Sequence, residues 1–75
     1  MRKEILESAQ DILQLPEEEI KKNCKEIPEL NAYYFWNAGR GGKSMIINEQ
    51  GERLIAGSSL GFDALLAAFK AGRRN

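Results

Sequence analysis

The chain has 75 residues, of which 43% are hydrophobic and 29% are charged, as in one small globular domain. At this length about 60–65% of the unfolded chain's surface becomes buried on folding, which leaves little room for a deep catalytic cleft. Histidine is absent and Cys24 is the only cysteine, which excludes an internal disulfide, the usual structural zinc site and an imidazole general base. We therefore expect no cofactor, no metal site and no enzymatic activity.

The formal net charge is zero, but the two halves of the chain differ in charge. Residues 1–30 hold five Lys and Arg against eight Asp and Glu, a net charge of −3, and residues 31–75 hold six against three, a net charge of +3. This distribution can orient a charged partner, but it is far from the composition of a strongly basic nucleic-acid binder. We expect neither a signal peptide nor a membrane span, and a cytoplasmic location.

Two amphipathic helices are predicted in the first 30 residues. Apolar residues recur at helical spacing between residues 2 and 14, and Pro16 ends this helix and can occupy the first turn of the next. Three acidic residues then lie at the positive end of the second helix dipole, a sufficient structural reason for their presence: Glu17, Glu18 and Glu19. We predict that the second helix stops before Pro28 and that its apolar face holds Ile20, Cys24 and Ile27.

Three antiparallel strands are predicted next. The aromatic run of residues 33–36 favours a strand with alternate side chains on opposite faces. One pair of aromatic side chains should enter the core, and the other should lie under a helix edge or form an exposed patch. Residues 44–48 and 53–56 are the other two strands, joined by a turn in which Gly51 can adopt a positive φ.

A third helix is predicted near the C-terminus. Apolar residues from Phe62 to Phe69 recur at positions i, i+3, i+4 and i+7, and Gly72 is placed to end the helix. The order ααβββα indicates an α+β fold, in which a three-stranded antiparallel meander packs against helices on one face. We expect a single small domain over residues 1–75, composed of a helical half (1–30), a β-meander (31–57) and a C-terminal helix (58–75).

A glycine-rich segment between the first two predicted strands resembles a phosphate-binding loop. Residues 37–44 read NAGRGGKS, in which Gly42, Lys43 and Ser44 match the end of the motif G-x-x-x-x-G-K-[ST]. Asn37 stands where the first glycine is required, and the following residues favour a strand, not the helix whose N-terminal amides would bind phosphate. We interpret the glycines as those of a β-hairpin.

The aromatic strand and its neighbouring cations permit one alternative function, that of a small nucleic-acid-binding regulator. In that hypothesis bases stack on Tyr34 or Trp36, and phosphates contact Arg40 and Lys43. Aromatic residues in strands belong to the core more often than to a nucleic-acid surface. The zero net charge also disfavours nucleic acid as the partner.

From Tyr33 to the C-terminus the sequence resembles the immunity protein 35 type, a family of small bacterial proteins that are predicted antidotes to polymorphic toxins. The resemblance lies in the aromatic strand and in the segments GRGGKSMIIN, GERLIAGSS and FDALLAAFKAGRR. It covers a little over half of the chain. It implies a binding function without a reaction, in which the protein covers the active site of a cognate toxin domain or holds the toxin inactive.

The resemblance implies that partner contacts are made by aromatic and charged side chains. Protein interfaces centre on a few desolvated aromatic and Arg anchors, and the candidates here are Trp36, Tyr34 and Arg40. Charges at the rim of an interface steer the encounter, and the candidates for this role are Lys43 and the acidic residues Glu17, Glu18 and Glu19. The competing interpretation is that the aromatic residues are simply packed in the core.

Overall fold

The structure, a computed structural model, describes residues 2–39, 42–57 and 59–75. The described residues form three α-helices, four strands and one short 3₁₀ helix: α1 (Lys3–Leu13), α2 (Glu17–Lys22), β1 (Cys24–Ile27), the 3₁₀ helix (Pro28–Leu30), β2 (Ala32–Trp36), β3 (Lys43–Asn48), β4 (Arg53–Gly57) and α3 (Phe62–Lys70). None of the described helices is long and apolar enough to cross a membrane.

The strands form one antiparallel sheet in the order β1-β2-β3-β4, so each strand pairs with its neighbour in the chain. In the centre of the sheet Phe35 lies opposite Met45, which in turn lies opposite Ile55. The prediction of an α+β fold is confirmed, and so is the antiparallel meander of β2, β3 and β4. The predicted number of strands, three, is too low by one.

The additional strand, β1, occupies residues that were predicted to be helical. Helix α2 ends after six residues, at Lys22, and the carbonyl oxygen of Asn23 accepts a hydrogen bond from the Trp36 amide at 3.2 Å. From there Cys24 to Ile27 pair with Phe35 to Ala32. The segment thereby supplies hydrogen-bond partners to the aromatic strand, which outweighs its weak helical pattern.

The helices cover both faces of the sheet, and the prediction that they lie on one face is wrong. On one face, side chains of α1 and α2 pack against β2 and β3: Ile5, Ala9, Leu13, Ile20, Phe35, Met45 and Ile47. On the other face, α3 packs against the sheet: Ile27, Ala32, Ile46, Leu65 and Phe69. The cause lies in β3, where Met45, Ile46 and Ile47 are consecutive apolar residues that alternate between the faces, so each face must be covered.

Asn48 and Gly51 shape the turn between β3 and β4. The Asn48 side chain is 6% exposed, and its Oδ1 accepts hydrogen bonds from the Gln50 amide at 3.1 Å and the Glu52 amide at 2.9 Å. Its Nδ2 donates to Glu52 Oε1 at 2.9 Å. Gly51 has a φ of +88°, which confirms the positive φ predicted for this turn.

The C-terminal residues end α3 and return to the sheet. Gly72 has a φ of +96° directly after the helix cap Ala71, as expected for a residue that ends a helix. Beyond it the Asn75 amide donates to the Arg53 carbonyl at 3.0 Å. The Asn75 side chain accepts from the Ile55 amide at 2.7 Å and donates to the Ile55 carbonyl at 3.1 Å. Asn75 thus occupies the outer edge of β4.

Candidate functional site

Three aromatic rings form a row on the α3 face of the sheet, which we call the aromatic row: Trp36, Tyr34 and Phe62. The Trp36 and Tyr34 rings are stacked, with centroids 5.3 Å apart and planes 24° apart. The Tyr34 and Phe62 rings are tilted by 60°, with centroids 4.7 Å apart. Tyr34 is therefore in contact with two rings, whereas half-buried Trp36 is in contact with Tyr34. This arrangement follows from strand alternation, which places residues 34 and 36 on the same face.

A cation lies at the other end of the aromatic row. The Lys25 Nζ is 4.4 Å from the centroid of the Phe62 ring, within the range of a cation–π interaction. Lys25 reaches this position because it lies in β1 directly opposite Tyr34. Reasoning from the sequence identified neither Lys25 nor Phe62 as a site residue. It placed Lys25 in the second helix and Phe62 in the apolar stripe of the last helix. Recognising the fourth strand is what would have brought Lys25 beside the aromatic residues.

A pocket of about 190 Å³, which we call the α3 pocket, lies between the aromatic row, the start of β3 and the N-terminus of α3. Its described lining residues are Tyr34, Trp36, Asn37, Gly42, Lys43, Ser44, Leu60 and Gly61. Ser44 is 4% exposed, and its Oγ has no hydrogen-bond partner among the described residues. Leu60, 39% exposed, is a large apolar residue at the rim. Aromatic and apolar side chains therefore form part of the pocket wall, while the Ser44 Oγ is itself closed off from solvent.

The predicted contact residues do not all lie together. Tyr34, Trp36 and Lys43 border the α3 pocket, although strand alternation directs the Lys43 side chain with Met45 toward the opposite face from Ser44. Arg40 lies outside the described residues.

The acidic triplet lies elsewhere, on α2, whose Ile20 packs on the α1 face of the sheet. Its members are Glu17, Glu18 and Glu19, and Glu17 pairs with Lys21 at 3.3 Å. The aromatic row packs on the other face, against α3. The acidic residues and the aromatic residues are thus on opposite faces of the sheet.

The segment that resembles a phosphate-binding loop leads into a strand. Lys43 and Ser44 begin β3, so the helix that a P-loop requires does not follow. The Asn37 amide donates to the Lys43 carbonyl at 2.9 Å, and the Gly42 amide donates to the Gly39 carbonyl at 3.0 Å. A Cβ on Gly42 would overlap the Asn37 carbonyl oxygen. Close backbone approach therefore explains this glycine without a nucleotide.

Two titratable side chains near the sheet have shifted pKa values. Burial, reinforced by the Glu26 carboxylate, raises the pKa of the half-buried Cys24 thiol, so this cysteine is protonated at neutral pH. On the α1 face the Tyr33 hydroxyl donates to Glu49 Oε1 at 2.8 Å, and this hydrogen bond is the main cause of a raised pKa for Tyr33. Neither shift produces an activated nucleophile or base at neutral pH.

A second pocket, of about 150 Å³, lies on the α1 face between α1 and the β3–β4 turn. Arg2 lines it, and the Arg2 Nη1 donates to the Glu49 carbonyl at 2.7 Å while Nε lies 3.7 Å from Glu4 Oε2. Arg2, the cation that lines this pocket, is therefore already engaged in a hydrogen bond and an ion pair. The α3 pocket, which is bordered by Tyr34, Trp36 and exposed Leu60, is the stronger candidate for a binding site.

Comparison of the chain with protein-family models, with curated proteins and with solved structures gives no match.

Proposed function

We propose that the chain is a non-enzymatic protein-binding module whose partner is a bacterial toxin that it neutralises. The observation that supports binding most directly is Trp36, a half-buried indole at the open end of the aromatic row. Exposed Leu60 lies across the α3 pocket from it. Tryptophan beside an apolar recess is typical of the anchors that contribute most of the free energy of a protein interface.

Trp36 is a better anchor candidate than Tyr34. The Tyr34 ring contacts both Trp36 and Phe62, so its removal would loosen the packing between α3 and the sheet. Trp36 contacts a ring on one side only and lies opposite the small residue Ser44 in β3. A partner can therefore reach the indole without displacing α3.

The identity of the partner as a toxin rests on the sequence pattern of residues 33–75, which resembles the immunity protein 35 type. In this proposal the protein acts by occupying the active site of the toxin or by holding the toxin inactive, and it performs no reaction itself. The raised pKa of the Cys24 thiol makes this residue a poor nucleophile at neutral pH.

The first experiment uses the tagged protein as bait in a lysate of its native cells, at moderate and at high salt. We expect one protein to be retained at both salt concentrations. Trp36→Ala should lose it, Trp36→Phe should keep part of the binding because a flat ring remains, and Glu7→Gln, at an exposed position of α1, should bind as wild type does. Circular dichroism of each variant establishes that it is folded.

The second experiment tests neutralisation. The captured protein is expressed in bacterial cells alone or together with the bait. We expect it to stop growth when expressed alone, and we expect the wild-type chain but not Trp36→Ala to restore growth. A captured protein that is harmless, or whose toxicity the wild-type chain does not relieve, contradicts the proposal.

The alternative of a nucleic-acid-binding regulator is favoured by one observation, the placement of Lys25 beside the aromatic row. The same row argues against it, because the Tyr34 ring already stacks on Trp36 and contacts Phe62, which leaves less of it for a base. Retention of nucleic acid that is released at high salt selects this alternative, since counterion release drives such binding.

A further inference from the structure

The outer edge of β4 carries the backbone groups of a strand that lacks a neighbour. The Asn48 amide donates to the Glu52 carbonyl at 3.0 Å, and the backbone groups of successive strand residues point to alternate sides. Arg53, Ile55 and Gly57 therefore direct their amides and carbonyls away from β3. In the part of the chain that the structure describes, no strand lies on that side of β4.

Asn75 occupies this edge in the way that a residue of a neighbouring strand would. Its side chain accepts from the Ile55 amide at 2.7 Å and donates to the Ile55 carbonyl at 3.1 Å. Two opposite residues of an antiparallel pair exchange the same two bonds. The Asn75 amide adds a bond to the Arg53 carbonyl at 3.0 Å. Because Asn75 is exposed, a true strand can displace it and take over these bonds.

The β4 edge also presents a partly exposed apolar run: Leu54, Ile55 and Ala56. Arg53 is the one charged residue of this strand. Edge strands that resist pairing usually carry charges along their length, as β1 does. Pairing β1 with its own copy about Lys25 or about Glu26 would place like charges directly opposite each other, which is unfavourable. The β4 edge has no such obstacle.

The sequence of β4 is complementary to a second copy of itself. In an antiparallel pair centred on Ile55, each Ile55 lies opposite the Ile55 of the second copy, and each Leu54 lies opposite the small residue Ala56. Arg53 lies opposite Gly57, where an added Cβ would have no described atom within 4 Å, so the edge has space for the arginine side chain. Large residues thus face small ones, and no like charges are opposed.

We propose that the β4 edge is a self-association site, at which two copies of the chain join their sheets about a two-fold axis, and that Asn75 keeps it closed in the single chain. Each Ile55 donates to and accepts from the Ile55 of the second copy. Each Gly57 amide donates to the second copy's Arg53 carbonyl, while the Gly57 carbonyl keeps its bond from the Leu60 amide at 3.2 Å. The contact uses up both β4 edges, so it closes at a dimer. The site does not involve Trp36 and therefore extends beyond the proposed function.

The first test is sedimentation equilibrium of wild type and of Asn75→Ala over a series of protein concentrations. Each copy must release its cap before it pairs, and loss of the two side-chain hydrogen bonds of Asn75 favours the open edge about tenfold per copy. Asn75→Ala should therefore lower the dissociation constant of the dimer about a hundredfold. Arg73→Ala, at an exposed neighbouring residue, should change it by less than about twofold.

The second test examines the register of the pair in the Asn75→Ala background. Gly57 has no positive φ and its Cβ position is open, so the single chain should accept Gly57→Lys, and circular dichroism checks that it folds. In the dimer each new lysine would lie opposite Arg53, so we expect about tenfold weaker association. Adding Arg53→Glu places opposite charges across the pair and should restore association.

The Ile55 amide gives an independent signal. In Asn75→Ala it should exchange with solvent faster than in wild type when the protein is dilute, and dimer formation should slow it again. The proposal is overturned if Asn75→Ala remains monomeric at every concentration, which would leave the edge to a strand of a different protein. It is equally overturned if Gly57→Lys does not weaken the dimer, or if Arg53→Glu does not restore it.

Discussion

Asn48 and Ser44 are two buried polar residues of the same strand with opposite environments. Each polar atom of the Asn48 side chain has a partner in the β3–β4 turn, whereas the Ser44 hydroxyl has none among the described residues. Asn48 thus stabilises the fold, whereas the buried Ser44 hydroxyl adds no hydrogen bond to it. An unpaired buried hydroxyl costs stability, so the two residues have opposite effects on the same strand.

Asn48→Ala should lower the free energy of unfolding by about 2–3 kcal/mol, because it leaves the Gln50 and Glu52 amides without their acceptor in a partly buried turn. Urea denaturation measures the change. Gln50→Ala is the matched control, since the exposed Gln50 contributes its backbone amide and that amide is retained, and it should change stability by less than about 0.5 kcal/mol. Equal stability of the two variants would contradict the role of Asn48.

Tyr33 should make stability depend on pH in the alkaline range. Its pKa is raised in the folded state, so the stabilisation from its hydrogen bond to Glu49 is fully present below its ordinary pKa of about 10 and is lost as pH rises through the raised value. Above about pH 10 wild type should lose stability more steeply than Tyr33→Phe, as measured by urea denaturation at each pH. Glu49→Gln, which removes the charged acceptor, should reduce the difference; parallel profiles of wild type and Tyr33→Phe would exclude the effect.

Some features of single residues could be predicted from the sequence, and others could not. The positive φ of Gly51 and the alternation of the four aromatic residues follow from local rules, and both are found in the structure. The unpaired state of Ser44 does not follow from local rules, because it depends on Trp36 and Ala56 from two other strands. The candidate pocket was therefore predicted only in part, through Tyr34, Trp36 and Lys43.

At the scale of elements, the largest error concerned β1. Its residues carry charges and a single β-branched side chain, Ile27, and nothing in this pattern excludes a helix. What makes the segment a strand is the free hydrogen-bonding edge of β2, which is set by residues 32–36. Patterns within a segment predicted α1, α3 and the other three strands, whereas β1 depends on pairing with β2, a separate segment of the chain.

The two outer edges of the sheet are protected from pairing with other chains in different ways. Asn75 lies along β4, and at the other edge the short strand β1 presents the exposed charges of Lys25 and Glu26. Short and charged edge strands discourage pairing with other chains. The sheet is therefore protected at one edge by a hydrogen-bonded residue and at the other by charge.

Asn75→Ala should make the Ile55 amide exchange with solvent faster, because that amide donates to the Asn75 side chain and β4 has no strand on that side. Loss of one hydrogen bond worth about 0.5–1.5 kcal/mol predicts roughly two- to tenfold faster exchange. Hydrogen exchange by NMR measures it, with Arg73→Ala, a change at an exposed neighbouring residue, as the control. Unchanged exchange at Ile55 in Asn75→Ala would show that this contact does not protect the edge.

At the scale of the whole molecule, β3 contributes buried side chains to both apolar clusters. Met45 and Ile47 belong to the cluster beneath α1, and Ile46 belongs to the cluster beneath α3. Any distortion of β3 therefore disturbs both layers of helices at once. We expect the described parts of the chain to unfold together, as small domains usually do.

Leu65→Ala should lower the free energy of unfolding by about 2–5 kcal/mol, because Leu65 is fully buried between α3 and the sheet and its removal leaves a cavity. Although Leu65 lies in one of the two helix layers, the loss of stability should appear as a single unfolding transition. The test is urea denaturation monitored both by circular dichroism and by Trp36 fluorescence. Ala67→Ser, a change at an exposed residue of α3, is the control. An earlier change in fluorescence than in circular dichroism would show that α3 detaches on its own.

The position of β3 also bears on how the protein stays dispersed in a crowded cell. Ser44 to Asn48 are buried in succession, with a strand on each side and helices above and below. Once unfolded, the same uncharged, β-branched stretch is a segment of the kind that nucleates amyloid. Lys43 and Glu49 flank it as charged gatekeepers, so resistance to aggregation rests on the integrity of the fold and on these two residues.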